Sequence, residues 1–166
     1  MSVIAYTRQD GGVSVLIPIL EGNYINPETG EWFCPRVGLD EVPEGFRAIT
    51  IEDVAGKDVP TGLIYQILDQ APSDRTFRDA WRLADGISVD MGTAKNIWLD
   101  KWRAARAPLL DAMDIQYMRA QEQNDQASMD SIVAKKNALR DVTNTDLSGI
   151  TTPEALKQVW PEILNG

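Results

Sequence analysis

The chain has 166 residues, of which 43% are hydrophobic and 25% are charged, close to the averages of globular proteins. This composition argues against disorder throughout, and no apolar run approaches the ~20 residues that a membrane helix needs. The formal charge of −9 argues against nucleic acid as a partner, because an acidic surface repels phosphate groups. The first residues lack the basic region of a cleaved signal peptide, so we expect a protein that is not secreted by that route.

The first 70 residues are predicted to be rich in β-structure. Residues 2–8 and 13–19 flank a Gln-Asp-Gly-Gly turn, and apolar side chains alternate along the second of these segments. Such a pattern is typical of a β-hairpin with one buried face. Further short strands are predicted at residues 31–33, 46–51 and 63–68, between turns that contain proline and glycine.

The period of the apolar residues becomes helical in the second half. A short amphipathic helical turn is predicted over residues 76–83, followed by a brief extended piece at 87–90, where Asp90 caps the next helix. A long helix is predicted from Gly92 to Gln123, with a kink or a break at Pro108 because proline removes a helical hydrogen bond.

A second helix is predicted over residues 127–142, and the short joint before it requires the two helices to run antiparallel. Thr152 is expected to cap a short terminal helix that Pro161 ends. The sequence therefore predicts an α+β protein with two parts. A β-rich part (hairpin plus short strands) covers residues 1–72, and an antiparallel α-helical hairpin with a short terminal helix lies within residues 73–166.

Few residues are suited to catalysis or metal binding. The chain has no histidine and a single cysteine, Cys34, which rules out nucleophile–histidine pairs, a structural zinc site and an internal disulfide. We interpret Cys34 as a small, partly buried apolar residue. The carboxylate pairs Asp111/Asp114 and Asp69/Asp74 are interpreted as solvated charges and caps. We therefore predict no catalytic residue, no metal and no cofactor.

Aromatic and basic residues concentrate in the segment 74–82, which mixes both with aspartates. Arginine and tryptophan dominate the energetics of protein interfaces, so this segment is the candidate partner-binding site. Its candidate residues are Arg75, Phe77, Arg78, Trp81 and Arg82. The alternative is that the two rings pack into the core and the arginines pair with neighbouring aspartates. Trp98 and Trp102, one helical turn apart, are interpreted as core or interface residues.

The segment 74–82, with the sequence Asp-Arg-Thr-Phe-Arg-Asp-Ala-Trp-Arg after a strand pair, resembles a family of small bacteriophage and prophage proteins encoded in tail and tail-fibre regions. The C-terminal segments 106–111, 136–143 and 152–161 agree with that pattern. The ending Ala-Leu-Arg-Asp … Trp-Pro is similar to the end of tail-fibre assembly chaperones.

The resemblance implies a non-enzymatic tail-module protein that binds other phage proteins, such as tail-fibre, baseplate or tail subunits. It would act as a minor structural subunit of the virion or as an assembly factor in the host cytoplasm, in an oligomer or a larger assembly. From the acidic charge and the lack of a long apolar run we expect no contact with nucleic acid or membrane. Three alternatives stay open: a head decoration or connector protein, a small acidic inhibitor of a host defence protein, and a carboxylate-dependent hydrolase.

Overall fold

A computed structural model describes residues 1–36 and 40–165 and confirms the α+β class. The chain forms two compact units, one over Met1–Ser88 and one from Val89 onwards. This division falls later than the change at residue 72 that the composition suggested. The strands are β1 (Val3–Thr7), β2 (Val13–Leu16), β3 (Tyr24–Ile25), β4 (Trp32–Phe33), β5 (Arg47–Ala48), β6 (Tyr65–Leu68), β7 (Trp81–Ala84) and β8 (Gly86–Val89).

The predicted N-terminal hairpin is present as β1 and β2. Arg8 donates its main-chain N–H to the carbonyl of Gly12 at 2.8 Å, and Gly11 has a φ of +78°, a conformation that glycine adopts without steric cost. The strand β6, also predicted, pairs with the other side of β1, so the first sheet is antiparallel with the order β2-β1-β6. A second antiparallel sheet has the order β4-β3-β5.

The strand predicted over residues 46–51 is much shorter than expected, because the chain turns into a helix that we did not predict, α1 (Ile51–Asp58). Thr50 caps this helix: its side chain accepts a hydrogen bond from Asp53 N, and the Asp53 side chain accepts one from Thr50 N. This reciprocal capping box satisfies two main-chain donors that a helix start otherwise leaves open. It outweighs the alternating pattern that favoured a strand.

The core of the first unit lies between the first sheet and α1. Its buried members are Ile4, Ile49, Val54, Ala55 and Val59. Partly buried side chains close the cluster from both sheets and the loops, namely Tyr6, Leu16, Leu20, Ile25, Trp32, Ile51 and Leu63. The position of β1 between β2 and β6 is consistent with the burial of its first three residues, Val3–Ala5, whereas Tyr6 and Thr7 are half-buried.

The prediction of a helical turn over residues 76–83 is wrong for most of that range. Only Arg78–Ala80 forms a single turn of 3-10 helix, and the chain then continues as β7, which pairs with β8. Gly86 has a φ of +89° at the turn between these two strands. The helical spacing of Phe77 and Trp81 arises instead from a tight turn that directs both rings inward, since both are buried.

The second unit consists of α2 (Met91–Glu122), α3 (Gln126–Asp141) and α4 (Pro153–Gln158), with short 3-10 turns after α3 and α4. The Asp90 side chain caps α2 as predicted and accepts a hydrogen bond from Thr93 N at 2.7 Å. The helix α2 is not broken at Pro108. Both Pro108 and Ala104, whose carbonyl loses its helical donor to the proline, are exposed, so water can satisfy that carbonyl.

The antiparallel helical hairpin is confirmed by contacts in reverse order along α2 and α3. Arg106 donates to the carbonyl of Arg140 at 2.9 Å, whereas Asp114, further along α2, forms an ion pair with Lys136. Asn124 adopts a φ of +54° in the joint between the helices. In α4, Thr152 caps the first turn and Pro153 occupies its start, as the sequence predicts.

Candidate protein-binding surfaces

The structure separates the five candidate partner-binding residues into two groups. Phe77 and Trp81 are each only 2% exposed, so their rings cannot form part of an exposed contact surface. This corrects the expectation that they lie in the binding site, and it agrees with the alternative that both pack inward. The strand β7, which begins at Trp81, contacts β1 and β2 of the first sheet. Burial of two large rings therefore fixes the position of this segment.

The arginines of the same segment remain on the surface. Arg75 and Arg78 are exposed and lie at the two ends of a turn that the hydrogen bond from Arg78 N to Arg75 O closes at 3.1 Å. Neither side chain forms an ion pair with any described residue, unlike Arg8 and Arg47. Both guanidinium groups are thus exposed to solvent, at a turn in which Phe77, one of the two central residues, is buried.

Arg82 has a different environment. Its side chain is half-buried and donates to the carbonyl of Trp81 at 2.9 Å. A guanidinium held against its own main chain has fewer donors left for a partner. The partner-binding prediction therefore concentrates on Arg75 and Arg78.

The two carboxylate pairs that the sequence suggested, Asp111/Asp114 and Asp69/Asp74, lie at the protein surface. Asp111 and Asp114 are both exposed on α2, and Asp114 pairs with Lys136. Asp69 is exposed, and Asp74 accepts a hydrogen bond from Thr76 N at 2.8 Å within its own turn. Among the described residues, no group of three potential ligands is placed to hold a metal ion.

The carboxyl group of Asp53 is strongly perturbed by a structural contact. Arg47 donates to both oxygens of Asp53 at 2.7 and 2.9 Å, and Thr50 N adds a third hydrogen bond at 2.7 Å. These contacts, the Arg47 hydrogen bond foremost, hold the pKa of Asp53 far below its ordinary value. The ion pair joins β5 to the start of α1, so it stabilises this junction.

Cys34 differs from the expectation of a partly buried residue. It is exposed, and its Sγ donates to the side-chain oxygen of Asn23 at 2.7 Å. The thiol therefore lies at the surface beside β4 and does not fill a gap in the core.

Surface clefts and exposed apolar side chains form features that sequence reasoning missed. In the first unit, a cleft of about 630 Å³ is lined by residues 68–74 together with Gly86 and Ile87. It begins at Leu68, the last residue of β6. On the same strand Tyr65 and Ile67 are about 40% exposed, and Ile64, just before the strand, is 73% exposed. In the second unit, Ile115 and Met118 are exposed one helical turn apart on α2. The apolar pattern of residues 63–68 predicted a strand. It could not show which edge of that strand lacks a neighbouring strand.

Within the described parts of the chain, no helix has both the length and the apolar character needed to cross a bilayer. Comparison with known proteins finds no matching family model, no matching curated protein and no matching solved structure.

Proposed function

We propose that this protein acts without catalysis, by binding an acidic surface of another protein through Arg75 and Arg78. The observation that carries the proposal is that both guanidinium groups are exposed and make no ion pair with the described residues, on a chain of net charge −9. In the same unit, Arg8, Arg36 and Arg47 are each paired with an aspartate.

The turn that holds these arginines supports the proposal. Phe77, which lies between the two arginines in the sequence, is buried. The hydrogen bond from Arg78 N to Arg75 O restrains the main chain of the turn. Restraint before binding lowers the conformational entropy that association would cost. Arginine also presents a planar set of donors that matches a carboxylate in two parallel hydrogen bonds. A partner with paired carboxylates would therefore fit this turn.

We propose that the partner belongs to a bacteriophage tail module. The support is the resemblance of residues 74–82 and of the C-terminal segments to small tail-region proteins. In this role the protein is a minor virion subunit or an assembly factor for fibres or baseplate. A head decoration or connector role is the second candidate, and inhibition of a host defence protein is the third, although no residue-level observation favours either.

The test is the double variant Arg75→Ala/Arg78→Ala in a phage that encodes the protein. The matched control is Arg119→Ala/Lys135→Ala, which removes two exposed charges and reaches the same net charge. We expect the first variant to fold normally and to yield particles with missing or defective tail parts, while the control yields normal particles. Normal infectious particles from the first variant would contradict the role of this turn. Defective head shells with intact tails would favour the connector role.

A further inference from the structure

The strand β6 forms an edge of the first sheet, and the hydrogen-bond pattern shows which of its residues face outward. Thr7 N donates to Ile64 O at 3.0 Å, so Thr7 and Ile64 form a hydrogen-bonded pair across β1 and β6. Antiparallel strands alternate hydrogen-bonded and non-hydrogen-bonded pairs. Gln66, opposite Ala5, therefore also bonds to β1, whereas the main-chain groups of Tyr65 and Ile67 point away from it.

The other strands of the sheet are consistent with this alternation. Arg8 N donates to Gly12 O, and the register continues with Tyr6 opposite Ser14 and Ile4 opposite Leu16. Even-numbered residues of β1 thus bond to β2, and odd-numbered residues bond to β6. Among the described residues, β6 pairs with no strand other than β1, and outside the strand ladders no main-chain hydrogen bond involves Tyr65 or Ile67. Two donors and two acceptors therefore stand open along β6.

Exposure distinguishes β6 from the opposite edge of the sheet, β2. Val13 on β2 is only 1% exposed and the rest of that strand is half-buried. On β6, by contrast, Tyr65 is 42% and Ile67 39% exposed, and the preceding Ile64 is 73% exposed. An open edge with apolar side chains is the arrangement to which an extended peptide adds as a further strand.

We propose that β6 binds an extended, basic segment of another polypeptide as an added strand of the first sheet. Main-chain hydrogen bonds to Tyr65 and Ile67 supply the pairing, and alternate apolar side chains of the segment cover these two residues. The inference does not depend on the proposed function, which concerns an acidic partner bound by Arg75 and Arg78.

Charge decides between a basic segment and a second copy of this chain. Residues 1–88 carry 14 acidic and 7 basic side chains, so two copies of this unit repel each other. Asp69 directly follows β6 and lines the adjacent cleft together with Asp74. A lysine or arginine at the end of the added strand would reach this cleft and its negative charge.

The probe is the synthetic peptide acetyl-Lys-Thr-Val-Lys-Val-Thr-Val-Lys-amide, titrated into the full chain and followed by NMR hydrogen exchange. We expect the amides of Tyr65 and Ile67 to gain protection, while that of Gln66, which already bonds to β1, changes little. The same peptide with glutamate in place of lysine should bind at least about tenfold more weakly. Equal binding of both peptides would overturn the basic specificity.

Two variants test the edge itself. Ile67→Pro removes the outward N–H without removing a hydrogen bond to β1, and Ile67→Lys places a cation on the edge. Each should weaken binding of the basic peptide by about tenfold or more. The matched control is Ile17→Lys beyond β2, an apolar residue of greater exposure (63%), which should leave binding unchanged. Circular dichroism confirms that each variant is folded before titration.

Three results would overturn the proposal. The first is that the basic peptide shows no saturable binding, and the second is that Ile17→Lys loses binding while the Ile67 variants keep it. The third is that the protection of the Tyr65 and Ile67 amides grows with protein concentration in the absence of peptide. The last would identify a second copy as the occupant. The variant Arg75→Ala/Arg78→Ala should keep peptide binding, so failure of this proposal is distinguishable from failure of the proposed function.

Discussion

The indole nitrogen of Trp98 donates a hydrogen bond to the main-chain carbonyl of Val159, 61 residues further along the chain, at 2.8 Å. The ring of Trp98 also meets that of Trp160 edge to face, with centroids 5.8 Å apart. These contacts tie the long helix α2 to the chain just after α4. In the second unit, Trp98 on α2 thus holds the segment after α4 in place.

This relationship predicts graded effects of substitution at Trp98, which is 8% exposed. Trp98→Ala should lower the free energy of unfolding by about 3–5 kcal/mol, because a large buried ring is lost. Trp98→Phe keeps most of the apolar contact but loses the hydrogen bond to Val159, so we expect a loss of about 1–2 kcal/mol. Urea unfolding measures both values. An unchanged midpoint in Trp98→Ala would show that the ring contributes nothing to stability.

Trp102 provides a matched comparison, since it is fully buried but its Nε1 has no hydrogen-bond partner among the described residues. Trp102→Phe removes a buried unpaired donor, whose burial costs about 1–3 kcal/mol, and this gain offsets the smaller ring. We therefore expect Trp102→Phe to be less destabilising than Trp98→Phe in the same urea experiment. A larger loss at Trp102 would indicate that its indole N–H is satisfied by a bound water.

The ion pair between Arg47 and Asp53 predicts a dependence of stability on pH. The pKa of Asp53 is lowered in the folded protein, so its stabilising contribution is complete above the unfolded value of about 3.9 and is lost as the pH falls below it. Wild type should therefore be more stable than Asp53→Asn at about pH 6, and the difference should shrink towards about pH 2. Unfolding at a series of pH values measures it. A constant difference across this range would contradict the assignment.

Pro108 predicts a stabilising substitution. Proline within a helix costs about 3 kcal/mol relative to alanine, and α2 continues through Pro108. Pro108→Ala restores the N–H that can bond to Ala104 O, so we expect an increase of about 1–3 kcal/mol in the free energy of unfolding. Pro161, outside any helix, is the control, and its replacement by alanine should not stabilise the protein. Destabilisation by Pro108→Ala would mean that the proline ring makes a contact that outweighs its helical cost.

Removal of divalent metal should leave the melting temperature unchanged. The described residues contain no group of three side chains placed to bind an ion, and the chain has no histidine. Thermal unfolding with and without a chelator measures this directly. A clear fall in melting temperature on chelation would point to the carboxylates, since oxygen ligands suit calcium and magnesium.

Much of the fold could be predicted from the sequence where local signals and packing agree. The first hairpin combines a glycine turn with alternating apolar residues, and α2 and α3 combine caps with a long helical period. The helix α1 was missed although its signal is present: threonine at position 50 and an acidic residue at 53 form a capping box. Competing alternation over residues 46–51 favoured a strand, and the sequence alone did not decide between them.

The candidate site was harder to predict for a related reason. Phe77, Ala80 and Trp81 have the spacing of a helical turn, and only the tight turn at Gly86, which makes a β-hairpin of β7 and β8, shows otherwise. Which rings are buried, and which arginines form no ion pair with a described residue, depends on contacts between distant parts of the chain. The open edge of β6 likewise depends on strand order, which no local pattern contains.

The distribution of buried residues along α2 has a consequence for how the second unit opens. The helix buries Trp98 and Trp102 near its start and Ala120 near its end, but no residue between 103 and 119 is buried. Local unfolding costs more free energy where it exposes buried apolar side chains. The part of the helical hairpin that contains residues 103–119 should therefore form a separate foldon, with a lower opening free energy than the helical turns around Trp98. A ligand that covered this stretch would therefore spend part of its binding energy on ordering it, and would bind with a large negative heat-capacity change.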